Sequence, residues 1–358
     1  MMPGLAAFKR FTRVVRHHHH AARAATGKGF VRQAVEAFHA RTRGFTADDY
    51  YVLPLYRGEK SHMMGQQHYS RLNAHLNPQY SGVVPFNKWV SAHFFAAAGL
   101  AAPAIHGFFH PQRGVDRAGG ALKTPDALDA LLRRCGNNIV IKPIDGGHGR
   151  NVVVFSACDV DAGTLTKSNG ETMALDALHA LLATEDEGWL IQEQVEQHPA
   201  LARLHPSSLN TVRVVTLALD DGTVTTTVAY LRMGRHGAAK DNATSGGIAA
   251  WIDVATGRCE AAIESYTENR FATHPDTGEA IDGSTVPLWP EVRALAERAH
   301  ALLPFPRDLG WDIGVTPDGP TLIEVNSYWP SHVFQKPDHS LHDLPYGALL
   351  AGLDRAKT

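Results

Sequence analysis

The chain of 358 residues has only three cysteines, Cys135, Cys158 and Cys259. They are far apart and form no CxxC pair. That argues against a disulfide framework and a cysteine zinc site, so a reducing, cytoplasmic location is expected. Net charge is also scarce: 34 Lys and Arg against 36 Asp and Glu leave −2. The chain as a whole therefore offers no attraction for nucleic acid, and no nucleic-acid partner is expected. Long apolar runs are missing. The greasiest window, His93 to Phe109, is broken by Gly99, Pro103 and two histidines, so no transmembrane segment is expected. The N-terminus lacks the apolar stretch of a secretory signal. What is present is a globular composition, 44% apolar and 20% charged, with length for two domains or one large divided one.

Charge is spread unevenly. Nine Lys or Arg lie between Lys9 and Arg43, against Glu36 alone. Leu5, Phe8, Phe11 and Val15 fall on one helical stripe. Three readings stay open: a helix packed on the protein's own surface, a patch for an anionic partner or peripheral membrane contact, and a cleaved organellar peptide. The run His17 to His20 would bind metal only incidentally, since consecutive helical residues do not face one another. Residues 30–43 read as helix, with Val31, Ala34, Val35 and Phe38 on one face. Residues 48–81, rich in Tyr, His, Gly and Asn, give no clear element.

Further on the elements sharpen. Residues 88–99 read as helix ended by Gly99, and 124–135 as helix, with Thr124 as cap and Pro125 in the first position. Strands are expected at 138–142 and 151–155, a helix at 173–183 and a short apolar strand at 189–195. From Thr211 the pattern is mostly β. Strands 211–219 and 224–233 flank the turn Asp220-Asp221-Gly222, and 248–254 is another strand. Residues 290–303 read as helix, and 311–316 with 320–326 as a final hairpin.

Three stretches carry chemistry. In the first, Lys142 ends an apolar strand and is followed by Gly146, Gly147 and Gly149. Backbone N–H groups of a glycine turn can converge on an anion. The order fits neither the Walker loop, nor GxGxxG, nor a kinase, whose glycines precede the lysine. Taken alone, the stretch is either a hairpin with a solvated lysine or a phosphate clamp. In the second, Pro317, Asp318 and Gly319 make a three-residue hairpin loop. Pairing Thr316 with Pro320 then sets Asp312 opposite Glu324, with Asn326 two residues along the same face. Facing carboxylates repel, so the face is either simply solvated or holds a cation, and hard oxygen ligands favour Mg²⁺. Trp311, Ile313, Ile323 and Val325 would fill the other face. In the third, strand 189–195 runs into a polar connector, whose backbone can meet an adenine edge or merely end a strand.

In this order the pieces resemble the ATP-grasp fold, and most nearly its sugar-transfer-associated group, related to α-L-glutamate ligases. The stretches "NTVRVVTL", "NATSGGIAAWID" and "GWDIGVTPDGPTLIEVNS" carry the likeness, which covers about residues 86–335. The resemblance implies an α+β fold in which two subdomains, 81–198 and 199–358, sandwich the nucleotide behind a mainly helical extension, 1–80. It implies that Lys88 and Lys142 neutralise ATP phosphates, and that the loop with Gly146, Gly147, His148 and Gly149 closes over them. Glu193, Gln194 and Val195 would read adenine, with Glu196 or His198 near the ribose. Asp312, Glu324 and Asn326 would hold two Mg²⁺. Arg213 would stabilise the reacting oxyanions, and Asn242 would lie on the substrate side. The implied activity is an ATP-dependent carboxylate–amine ligase that forms an amide through an acyl phosphate, from a carboxylic acid and an amine or peptide. The rival is an ATP-dependent phosphotransferase acting on a small molecule or sugar. A regulatory nucleotide binder without turnover finds no support, because the lysines, acids and asparagine are all present. After Asn326 the family's Pro-Gly is replaced by Ser327-Tyr328-Trp329-Pro330-Ser331-His332. That segment faces the acceptor in the family, so the substrate is not carried over.

Overall fold

The computed structural model describes residues 3–58, 62–78, 82–144, 151–238, 241, 246–264, 267, 269–336 and 339–356. The chain divides into two compact units. One is Met1–Gln79 with Ile263–Asn269 and Tyr328–Thr358; the other is Tyr80–Ala262 with Arg270–Ser327.

The first unit contains α1 (Pro3–Thr26), α2 (Phe30–Arg41), α3 (Ala47–Val52), α4 (Gln66–Leu76) and the C-terminal helix Pro345–Arg355. Its core joins Val14, Val15 and Ala22 of α1 to Ala37 and Ala40 of α2 and to Phe45, Tyr50 and Tyr51. Two expectations fail here. Phe8 does not share a buried stripe with Val15: it is 63% exposed. In α2 the expected apolar face looks outward, with Val31 74%, Val35 50% and Phe38 62% exposed, while Gln33, Ala37 and Ala40 are buried. Small alanines let a neighbouring helix approach closely. The one large polar group on that side is satisfied: Gln33 Nε2 donates to the carbonyls of Lys28 (2.7 Å) and His19 (3.1 Å). In the stretch without a clear element, α3 is held by a capping box. Thr46 Oγ1 accepts from Asp49 N, and Asp49 Oδ2 accepts from Thr46 N. Helix α4 buries Tyr69, Leu72, Asn73 and Leu76 at helical spacing.

Two seven-stranded sheets belong to the second unit, apart from Ile263 and Glu264, which fall in the first unit. The first sheet comprises β1 (Ile105–Phe109), β2 (Val115–Asp116), β3 (Ile139–Pro143), β4 (Val153–Asp159), β5 (Thr164–Lys167), β6 (Thr172–Ala174) and β7 (Trp189–Glu193), in the order β2-β1-β7-β3-β4-β5-β6. Helices α7 (Pro125–Cys135) and α8 (Leu175–Leu182) contribute Leu128, Leu132 and Leu178 to a core with Ile139, Ile141 and Phe155. Thr124 caps α7 and Pro125 begins it, as the sequence predicts. The expected helix at 173–183 begins instead at Leu175, because Thr172–Ala174 pairs with β5 as an edge strand.

The second sheet comprises β8 (Val212–Ala218), β9 (Val224–Met233), β10 (Ile248–Trp251), β11 (Ala262–Glu264), β12 (Arg270–Phe271), β13 (Asp308–Thr316) and β14 (Gly319–Asn326), in the order β12-β11-β10-β9-β8-β13-β14. Helix α10 (Trp289–Ala301) packs Val292, Ala296 and Ala299 into its core with Val212, Val214 and Trp311. The β8–β9 hairpin turns through Gly222, at φ 84°. Short helices α5 (Val83–Phe86), α6 (Lys88–Ala97) and α9 (Pro199–Ala202) complete the unit. The fold is α+β.

The last hairpin reaches the expected pairing by another route. Thr316 pairs with Gly319, not Pro320, so the loop is two residues long. The register runs one residue out through Ile313↔Leu322. A bulge then intervenes, and Asp312 lies opposite Glu324. The consequence falls on the neighbours. Leu322 is the fully buried core residue, and Ile323, expected in the core, is only part-buried and lines a cleft.

Candidate functional site

Within the second unit, residues of both sheets line a cleft of about 1020 Å³. Lys142 enters it from the end of β3 and is 8% exposed. Burial pushes its ammonium down and Lys88 does the same, against the pull of Glu324 and Asp312; the balance is about 8 rather than 10.5. Lys88 is the first residue of α6. Its position is fixed by Asn87, whose side chain accepts from Trp89 N and Val90 N. Lys88 Nζ lies 3.8 Å from Glu324 Oε1.

From the second sheet, β13 presents Asp312 and β14 presents Glu324 and Asn326. Two guanidiniums neutralise Asp312. Arg213 on β8 binds it with two bonds, Nε to Oδ1 and Nη2 to Oδ2 (2.9 Å), and Arg232 on β9 approaches Oδ2 at 3.3 Å. Burial alone would raise the Asp312 carboxyl; the arginines outweigh it and hold the group below the usual carboxylate range. The sequence argument that the facing carboxylates need a metal for balance is therefore answered partly by arginine. Among the described residues, no three His, Cys, Asp or Glu gather as a metal cluster. Asn326 offers a different signal: its buried Nδ2 has no hydrogen-bond partner. A half-turn of that amide exchanges N for O, so the same position can offer either a donor to a phosphate or an oxygen to a cation. With the Glu324 carboxylate beside it, the donor set suits Mg²⁺.

The connector Glu193, Gln194, Val195 and Glu196 lines the cleft, alongside Val140, Val154 and Ile323. Gln194 N donates to Asn138 O at 2.7 Å, which ties the connector to the start of the lysine strand. His198 is engaged elsewhere: its Nδ1 caps α9 by accepting from Ala200 N, and its own N–H donates to Val315 O. Gly146, Gly147, His148, Gly149 and Asn242 lie outside the described residues.

The family description "sugar-transfer associated ATP-grasp" matches residues 67–343. The chain belongs to this ATP-grasp family. No protein of curated function matches it in sequence. Among solved structures it is similar to an N5-carboxyaminoimidazole synthase from Aspergillus clavatus (12% identity, 73% of this chain and 50% of that one, TM-score 0.40). It is similar also to a biotin carboxylase from Campylobacter jejuni (13%, 70% and 42%, TM-score 0.42) and a D-Ala:D-Ser ligase from Enterococcus faecalis (11%, 77% and 64%, TM-score 0.44). The chain spans about half the length of these structures.

The ATP-grasp cleft also holds residues that sequence reasoning missed. Arg232 bridges Asp312 and Asp241, and its Nε donates to Thr211 Oγ1 at 3.0 Å. Asp241 in turn accepts from Thr211 N at 3.0 Å and is 8% exposed. The available signal was a lone arginine in the apolar strand "VAYLRM", close to the end of β9.

Proposed function

We propose that this ATP-grasp chain is an ATP-dependent carboxylate–amine ligase. The observation that carries the reading is one cleft lined by buried Lys142 and part-buried Lys88 together with Asp312, Glu324 and Asn326. The lysines offset phosphate charge, and the apolar Val140, Val154 and Ile323 with the connector 193–196 suit an adenine ring. Glu324 and Asn326, with Asp312 shared between them and the arginines, would hold Mg²⁺, which supplies charge neutralisation on the phosphates. In the reaction, a substrate carboxylate oxygen attacks the γ-phosphorus and ADP leaves. The amine nitrogen then attacks the acyl carbon of the acyl phosphate, loses a proton, and inorganic phosphate departs. Arg213 and Arg232, both lining the cleft, can turn N–H groups toward the oxyanions of these steps. Asn242 and the loop 145–150 are assigned to the substrate and phosphate sides by the family resemblance alone. A cytoplasmic setting agrees with three free cysteines and with the lack, among the described residues, of a helix able to cross a membrane.

The test traps the acyl phosphate. The protein is incubated with Mg-ATP, hydroxylamine and a panel of carboxylic acids, and hydroxamate is scored together with ADP and phosphate. One acid should give hydroxamate in step with ADP. A stable phosphorylated product without hydroxamate would instead make the chain a phosphotransferase.

A further inference from the structure

We infer that the α1–α2 hairpin is a docking surface for an anionic lipid bilayer, in peripheral contact. The first observation is the outward face of α2. At 100° per residue, Val31, Val35 and Phe38 lie within 60° of one another, and all three are at least half exposed. Arg32 and His39 flank this stripe on one side and Arg41 on the other, and all three are exposed. An apolar line bordered by Arg32 and Arg41 is the pattern of a helix lying in a membrane interface, with the guanidiniums reaching back to headgroups.

The second observation, independent of the first, is α1. Its outward face carries Lys9, Arg13, Arg16 and His17 around a shallow groove, and Phe8 of the same helix is exposed. The third is the charge balance. Residues 9–43 carry nine Lys or Arg against one acid, a net of +8; because the whole chain is −2, the remainder is −10. A positive helical segment in a chain otherwise of negative balance is drawn toward an anionic surface.

A second copy of the chain fits less well. Two such faces would bring like charges together, and three side chains on a helix of 12 residues fall short of the ~800 Å² per partner that a stable interface needs. An acidic protein would satisfy the charge but not the narrow apolar stripe, which needs only a fluid apolar layer to enter.

The experiment is co-sedimentation of the full chain with vesicles of phosphatidylcholine alone, and with about a third of the lipid replaced by phosphatidylserine. We expect binding to the anionic vesicles only, reversed at roughly 0.5 M salt. Replacing Val31, Val35 and Phe38 by Gln, a good helix former, should weaken it by about tenfold or more while circular dichroism is unchanged. Arg13→Gln with Arg16→Gln should weaken it similarly through charge. The proposal is overturned if the chain stays in the supernatant with anionic vesicles. It is overturned equally if the glutamine triple variant binds like the parent, since the apolar stripe would then have no part. Light scattering without vesicles completes the set: a dimer that the triple variant abolishes would reassign the face to a second copy.

Discussion

Lys142 is a cleft residue whose chemistry the fold alters. With its pKa brought down to about 8 by burial and by Lys88, it titrates within an accessible range. The sign follows from comparing the two states. The unfolded chain holds this proton up to an ordinary lysine value, the folded chain only to about 8, so folding is disfavoured by a charged Lys142 below pH 8 and that penalty is relieved as pH rises from about 8 towards 10.5. An anionic phosphate beside the ammonium would reverse the shift. Binding of Mg-ATP near pH 9 should therefore take up a large part of one proton. Calorimetry in two buffers of different ionisation enthalpy reads this directly, and Lys142→Arg, which retains charge without titrating there, should abolish it. Equal binding enthalpies in both buffers for the parent protein would mean that Lys142 does not meet the phosphates. Asp312 shows the complementary case. The sequence made its carboxylate a metal ligand by its pairing with Glu324, but the arginines that hold it come from β8 and β9, 99 and 80 residues earlier, and only the sheet brings them together.

At the scale of elements, the β13–β14 hairpin separates two neighbours that simple alternation would assign the other way. Leu322 is fully buried and Ile323 is part-buried on the cleft side, because of the bulge. Leu322→Ala should cost about 2–5 kcal/mol in denaturant unfolding. Ile323→Ala should cost about 1 kcal/mol or less and should weaken ATP binding instead. An inverted pattern of costs would mean that the hairpin runs without the bulge. This hairpin also marks how far the sequence is legible. Its strands, the place of its turn and the pairing of Asp312 with Glu324 were readable from alternation and turn chemistry, whereas the loop length and the compensating bulge were not, since a bulge is chosen by packing on both faces. Helix α2 fails in the same manner. Its periodicity was readable, but hydrophobicity named the wrong side as buried, because close packing on α1 selects Ala37 and Ala40 over larger residues. Helices α3 and α4 were hidden by polar composition; a capping box in one and a buried Asn73 in the other do their work through hydrogen bonds and contacts that a hydrophobicity pattern does not register. Of the candidate site, Lys88, Lys142, the connector 193–196, Arg213, Asp312, Glu324 and Asn326 all line the one cleft, while Arg232 and Asp241 emerge only from the fold.

For the whole molecule, the cleft lies in the second unit alone, whose segments 80–262 and 270–327 contain every residue that lines it. A ligand that binds only the folded cleft therefore stabilises that unit by mass action. Mg-ATP at ~100 times its dissociation constant should add about 2.7 kcal/mol. In a cooperative unit of this size, each kcal/mol moves the melting temperature by roughly 2–4 °C, so a rise of about 5–10 °C is expected. Magnesium should be required for the full effect, because ATP alone would bring its phosphates unscreened towards Glu324. Hydrogen exchange read alongside should slow in β3, β7, β8, β13 and β14, which carry the lining residues. A folded protein whose melting temperature does not move at millimolar Mg-ATP would remove the nucleotide from the cleft, and the ligase reading with it. The vesicle experiment would be untouched by that result, since the surface it probes is built by α1 and α2 of the first unit and depends on no nucleotide.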